Sequence, residues 1–125
     1  MGSRMRRLPD TELEVMQAVW ACNPPISRAD IERELKDNHP LAVTTVLTIL
    51  NRLVEKGFLA VEKQGRSNCY TPLVSRRDYL ASQSKRFIEK LCGGSMSAFA
   101  AALCDSGLSR KDIAELRELL ERNRL

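Results

Sequence analysis

Apolar residues recur every three or four positions through most of the chain, and each run is bounded by capping or turn residues, the pattern of short amphipathic helices. The first helix is predicted from Pro9 and Asp10 to about Cys22, with Leu13, Met16 and Trp20 on one stripe and Asn23-Pro24-Pro25 as its stop. Ile26 is a short extended link. Ser27 opens a second helix to about Asn38, burying Ile31 and Leu35, and His39-Pro40 breaks the chain. A third covers "AVTTVLTILNRLVEKG", Ala42 to Gly57, with Gly57 as its terminating glycine. Period-two signals follow: "FLAVEK" is rich in strand formers, "QGRSN" carries turn residues and "CYTP" returns antiparallel, which makes a hairpin.

From Ser75 onward the pattern is helical only. One helix is predicted to about Cys92, with Leu80, Phe87, Ile88 and Leu91 on its apolar side, stopped by Gly93-Gly94. "SMSAFAAALC" is a short, nearly uncharged helix; Asp105-Ser106-Gly107 turns the chain, and Ser109 begins a last helix to about Asn123 with Ile113, Leu116, Leu119 and Leu120 on one face. Three similar tetrapeptides, "SRAD" at Ser27, "SRRD" at Ser75 and "SRKD" at Ser109, are not followed by matching sequence. Capping explains them better than a repeat: a serine N-cap accepts from the N3 amide, and an acid at N3 reaches back to the N-cap amide.

Helix, helix, helix, hairpin is the winged-helix order, in which the third helix enters the major groove and the hairpin tip meets the DNA backbone. The expected fold is mostly α with a small β-hairpin: a winged helix-turn-helix domain over 8–74 and a C-terminal three-helix dimerisation region over 75–125, preceded by a tag and basic arm over 1–7. The second half carries more apolar helical surface, at Leu80, Phe87, Ile88, Leu91, Ile113, Leu116, Leu119 and Leu120, than three helices bury among themselves. A homodimer hides those stripes and duplicates the reading head.

The third helix is unusual in composition. Advancing about 100° per residue places Val46, Ile49, Leu50, Leu53 and Val54 on one side and Thr44, Thr45, Thr48, Asn51, Arg52, Glu55 and Lys56 on the other. A solvated face favours Glu, Lys, Gln and Ala; β-branched threonines are poor choices for it. They suit base edges, where a hydroxyl donates or accepts and a methyl packs on thymine. Thr44, Thr45, Thr48 and Asn51 are therefore the candidate base readers, and Arg52 and Lys56 the phosphate contacts. The wing tip adds Lys63, Arg66 and Ser67 to the phosphate set, in a loop without an acid.

Composition narrows the function further. The chain has 125 residues, 43% of them hydrophobic but only 5% aromatic, so a single aliphatic core of ordinary size is expected. Its formal charge is +4, with an isoelectric point of about 9.1, compatible with a nucleic-acid partner. No apolar run approaches the ~20 residues of a membrane span, and "MGSRMRRLPD" has no signal-peptide core, which points to the cytoplasm. Cys22, Cys69, Cys92 and Cys104 show no C-x-x-C spacing and His39 is the sole histidine, so neither a metal site, a cofactor nor an enzyme is expected.

Taken together, "ELEVMQAVW", "TTVLTILNRLVEKGFL", "VEKQGRSNCYTPLVS" and "FIEKLCGGSM" resemble the penicillinase-repressor family, the BlaI/MecI/CopY type of bacterial winged-helix repressors, over nearly the whole chain from Leu8. The resemblance implies a homodimer that binds double-stranded, dyad-symmetric operator DNA and dimerises through its C-terminal helices, with Thr45 and Thr48 on recognition-helix positions and Arg66 in the wing. It further implies control of β-lactam resistance genes and release through a membrane-bound sensor metalloprotease that cuts the helix after the Gly-Gly turn. The family's Asn-Phe bond aligns with Ala102-Leu103, a departure, and the Cys-x-Cys pairs of copper-responsive members are missing. A rival reading is a winged-helix protein-interaction module whose threonine face packs on a partner. Cys69, in the returning wing strand, is a redox-switch candidate if its thiol is exposed and activated.

Overall fold

A computed structural model of the chain describes residues 6–38 and 40–123, so His39 and the proposed tag before Arg6 lie outside the described residues. The elements are α1 (Asp10–Trp20), β1 (Ile26–Ser27), α2 (Arg28–Asn38), α3 (Val43–Glu55), β2 (Leu59–Gln64), β3 (Ser67–Pro72), α4 (Arg76–Arg86), a π-helical turn (Phe87–Leu91), α5 (Met96–Asp105) and α6 (Arg110–Arg122). They form two compact units, one reaching to Ser82 and the other starting at Gln83.

In the first unit α1, α2 and α3 pack around an aliphatic core. Val15, Met16, Val19, Ile31, Val46, Leu50 and Leu53 are buried, as are Phe58 and Leu59 at the start of the hairpin. The hairpin pairs Leu59 with Pro72 through Gln64 with Ser67, leaving a two-residue turn at Gly65-Arg66 whose Gly65 φ of +67° suits a residue without Cβ. Ile26 is more than a link. It pairs with Tyr70, and Ser27 with Cys69, so the expected ribbon becomes a three-stranded antiparallel sheet in the order β1-β3-β2. The burial of Ile26 and Tyr70 drives this pairing.

All three Ser-Arg-x-Asp sequences cap helices. Asp30 and Asp112 donate their amides to Ser27 and Ser109 Oγ and accept from those serines' amides in return, at 3.0–3.1 Å, and the Asp78 amide donates to Ser75 Oγ at 3.0 Å. The Ser27 amide and hydroxyl, with Arg33 beside them, hold the Asp30 carboxyl below the usual carboxylate range.

Between the units the sequence-based boundary at Val74/Ser75 moves eight residues on, to Ser82/Gln83. Tyr79, in α4, causes the shift. Its ring meets Trp20 and Phe58 at centroid distances of 5.7 and 5.9 Å, and its hydroxyl accepts the Leu8 amide at 2.8 Å. Trp20 Nε1 also donates to the Val74 carbonyl at 2.9 Å. The first turns of α4 thus belong to the N-terminal core.

The second unit is built differently. The single helix expected to reach Cys92 gives way at Phe87 to the π-helical turn, and Gly93 and Gly94 (φ +60° and +80°) then reverse the chain. The Gly94 amide donates to Ile88 O at 2.8 Å, closing the helix end. Phe87 packs edge-on against Phe99 of α5 at 5.9 Å. No described residue from Gln83 to Asn123 reaches full burial. Among the described residues no single helix is long and apolar enough to cross a membrane.

Candidate nucleic-acid interface

Helix α3 partitions as its sequence predicts. Val46, Ile49, Leu50 and Leu53 are buried and Val54 is half-buried, whereas Thr44, Thr45, Thr48, Asn51, Arg52 and Glu55 are exposed. The helix begins at Ala42 without any side-chain cap, in contrast to the serine-capped helices. Its first-turn amides at Val43, Thr44 and Thr45 accordingly keep their hydrogen-bonding capacity at the positive end of the helix dipole, an arrangement suited to an anion such as a phosphate.

Thr48 is already partly committed. Its hydroxyl donates to the Thr44 carbonyl at 2.9 Å, so the groups it offers outward are oxygen lone pairs and a methyl. An adenine amino group or a thymine methyl fits these better than a bare acceptor does. Thr44, Thr45 and Thr48 line one wall of an open groove of about 440 Å³, with Pro9, Thr11 and Glu12 of the α1 end opposite and Arg52 at its side.

A second groove of about 310 Å³ runs between the start of α2 and the wing, lined by Ser27, Arg28, Ala29, Leu47, Arg66, Ser67, Asn68 and Tyr70. Arg66 and Ser67 therefore share a groove with Leu47 of α3, and Lys63 stands opposite Asn68 in the hairpin register, exposed. Sequence reasoning missed two residues here. Arg28 brings a further cation, paired with Glu32 at 3.2 Å, and Leu47 is 37% exposed on the flank of α3; on the helical projection it falls beside Asn51, which is the signal that marks it.

Lys56 departs from its expected role. Its side chain is only 19% exposed, and its ammonium donates to Oε1 of Glu12, a buried acid from α1. It is therefore not a free phosphate contact. Glu12 had been hidden in the pattern: it occupies the apolar stripe of α1 with Val15, Met16 and Val19, and an acid at a core position is a sign of a partner. Its Oε2 lies 3.9 Å from Arg52, which is 59% exposed and keeps its guanidinium at the edge of the groove.

The cysteines divide by environment. Burial, and then Glu34 and Asp30, push the Cys22 thiol up, which makes it a poor nucleophile. Cys69 is half-buried in the middle strand of the sheet, opposite Glu62 and Ser27.

The residues proposed for dimerisation are open in the single chain: Leu80, Phe87, Leu91, Ile113, Leu119 and Leu120 are exposed, and Ile88 and Leu116 half-buried. Leu80 belongs to the first unit and the others to the second. Ala102 is exposed and Leu103 half-buried, both within α5.

The chain is similar to proteins of known role. The penicillinase repressor of Bacillus licheniformis is 31% identical over 124 residues, covering 96% of each chain. The solved DNA-binding domain of the repressor BlaI is 35% identical with a TM-score of 0.52, over 60% of this chain and 90% of that one. The B. licheniformis BlaI monomer, solved in complex with the blaP half-operator, gives 35% identity and a TM-score of 0.50 over the same shares. The family description "Penicillinase repressor" matches residues 8–122. With all but the chain ends covered, the protein belongs to the penicillinase repressor family, whose members are transcriptional repressors and not enzymes.

Proposed function

We propose that the protein is a cytoplasmic, homodimeric repressor that reads a dyad-symmetric operator in double-stranded DNA. The observation that carries this reading is the exposed threonine face of α3 flanked by cations, with Arg52 on one side and Arg66 across the wing groove on the other. Thr44, Thr45, Thr48 and Asn51 face base edges; Arg52, Lys63, Arg66 and Ser67 fix the register on phosphates. The complex of the related BlaI monomer with its half-operator supports this use of the fold.

Dimerisation is assigned to the second unit, which has no buried residue of its own among those described and so needs a partner surface. The similarity to the penicillinase repressor of Bacillus licheniformis supports control of a β-lactam resistance gene. Release then follows from cleavage in α5 by a membrane-bound sensor metalloprotease, which has to accept Ala102-Leu103 in place of Asn-Phe.

Two kinds of variant test the assignment. Thr45→Ala and Thr48→Ala should each cost about 1 kcal/mol on operator DNA and relax the preference at one position, with little change on random duplex. Arg66→Ala should weaken both duplexes alike and lower the salt slope by about 0.9. Equal losses on the two duplexes for the threonine variants would remove them from base reading.

A further inference from the structure

Leu47 lies on the exposed side of α3 and has no part in the DNA contacts assigned above. It is 37% exposed and lines the groove between α2 and the wing with Ala29, beside Arg28 and Arg66 and with no acid among the lining residues. A single exposed leucine is ordinary. One set in a groove with two arginines stands where a polyanion approaches. Val43, one helical turn earlier, is 46% exposed, so a short apolar row runs alongside Thr44 and Thr48. Two side chains are far too small a patch for a stable protein interface, which covers about 800 Å² on each partner.

We infer that Leu47 reads the C5-methyl group of one thymine in each operator half-site, a specificity-determining contact in addition to the threonines. The inference rests on the DNA-reading function proposed above. A leucine side chain has neither donor nor acceptor, so it cannot tell bases apart by hydrogen bonding. The apolar group that base pairs present in the major groove is the thymine methyl. With a backbone phosphate on Arg66, the strand that fills the groove presents a base edge to the adjacent side of α3, and Leu47 is the side chain that meets it. Burying one methyl is worth about a fourfold change in affinity, and about fifteenfold when both half-sites are counted.

The test uses the duplex that full-length protein selects from a random pool and replaces its thymines by deoxyuridine, one symmetric pair at a time. This exchange deletes the methyl and keeps every hydrogen-bonding group of the base. The unaltered protein should lose about fifteenfold at one such pair. Leu47→Ala should bind the unsubstituted duplex about that much more weakly and lose less than twofold further on deoxyuridine at the same pair. Alanine is a strong helix former and the site is partly exposed, so the variant keeps its fold, which thermal melting checks. Thr48→Ser removes only a competing methyl of α3 and should leave the penalty at that pair in place.

No thymine pair with a methyl penalty in the unaltered protein, or the full penalty persisting in Leu47→Ala, would overturn the inference while leaving the DNA-reading function intact. So would loss of the penalty in Thr48→Ser, which assigns the methyl to the threonine. A pool that yields no preferred duplex refutes the DNA-reading function and this inference with it, a distinct outcome.

Discussion

In sedimentation, the unaltered chain is expected to run as the proposed dimer and the Leu120→Asp protein as a monomer at the same concentration. Leu120 is 63% exposed in the single chain, so an aspartate there costs the isolated protomer almost nothing. Inside an interface it is a buried charge without a counterpart, worth several kcal/mol; about 3 kcal/mol per dimer is already more than a hundredfold in the dimer constant. Operator affinity should fall further than any single base contact accounts for, because two linked reading heads gain about 10²–10⁴ over one. Leu116→Asp, at a half-buried site on the same helix, should act in the same direction with some loss of protomer stability. An unchanged dimer in Leu120→Asp would remove α6 from the interface.

Lys56→Met carries the second large effect, on folding. It strips the partner from a carboxylate that is 6% exposed, and stranding a buried charge costs about 3–5 kcal/mol. For a domain of this size each kcal/mol moves the thermal midpoint by about 4–8 °C, so a drop of about 12 °C or more is expected. Arg52 offers only partial relief at 3.9 Å from a side chain it shares with solvent. Glu12→Leu/Lys56→Met, which replaces both charges by apolar groups, should recover to within about 1 kcal/mol of the parent. A midpoint unmoved in Lys56→Met would mean the pair contributes no more than a surface ion pair.

Together these expectations separate what the sequence made legible from what only packing creates. The exposed threonine face of α3 was legible because the three threonines and the buried Val46, Ile49, Leu50 and Leu53 separate at helical periodicity. The hairpin and the serine caps depend on residues within a few positions of one another, which local pattern captures. The missed features are long-range. Glu12 meets Lys56 across 44 positions, Leu8 meets Tyr79 across 71, and the Ile26 strand exists only because Tyr70 comes beside it. Local charge could mark Lys56 as basic, but not that α1 had already claimed it. The π-helical turn at Phe87 is a register choice within an otherwise helical pattern, and periodicity does not distinguish it from continued α-helix.

A protein-interaction module would use the same threonine face and the same exposed C-terminal leucines, so fold alone does not distinguish it from a DNA reader. Selection of bound duplexes from a random pool by the full-length protein does. Convergence on an inverted repeat, with half-sites spaced by about one helical turn or a multiple of it, is the result predicted by a threonine face duplicated through a dimer. A pool that stays random after repeated rounds would contradict it.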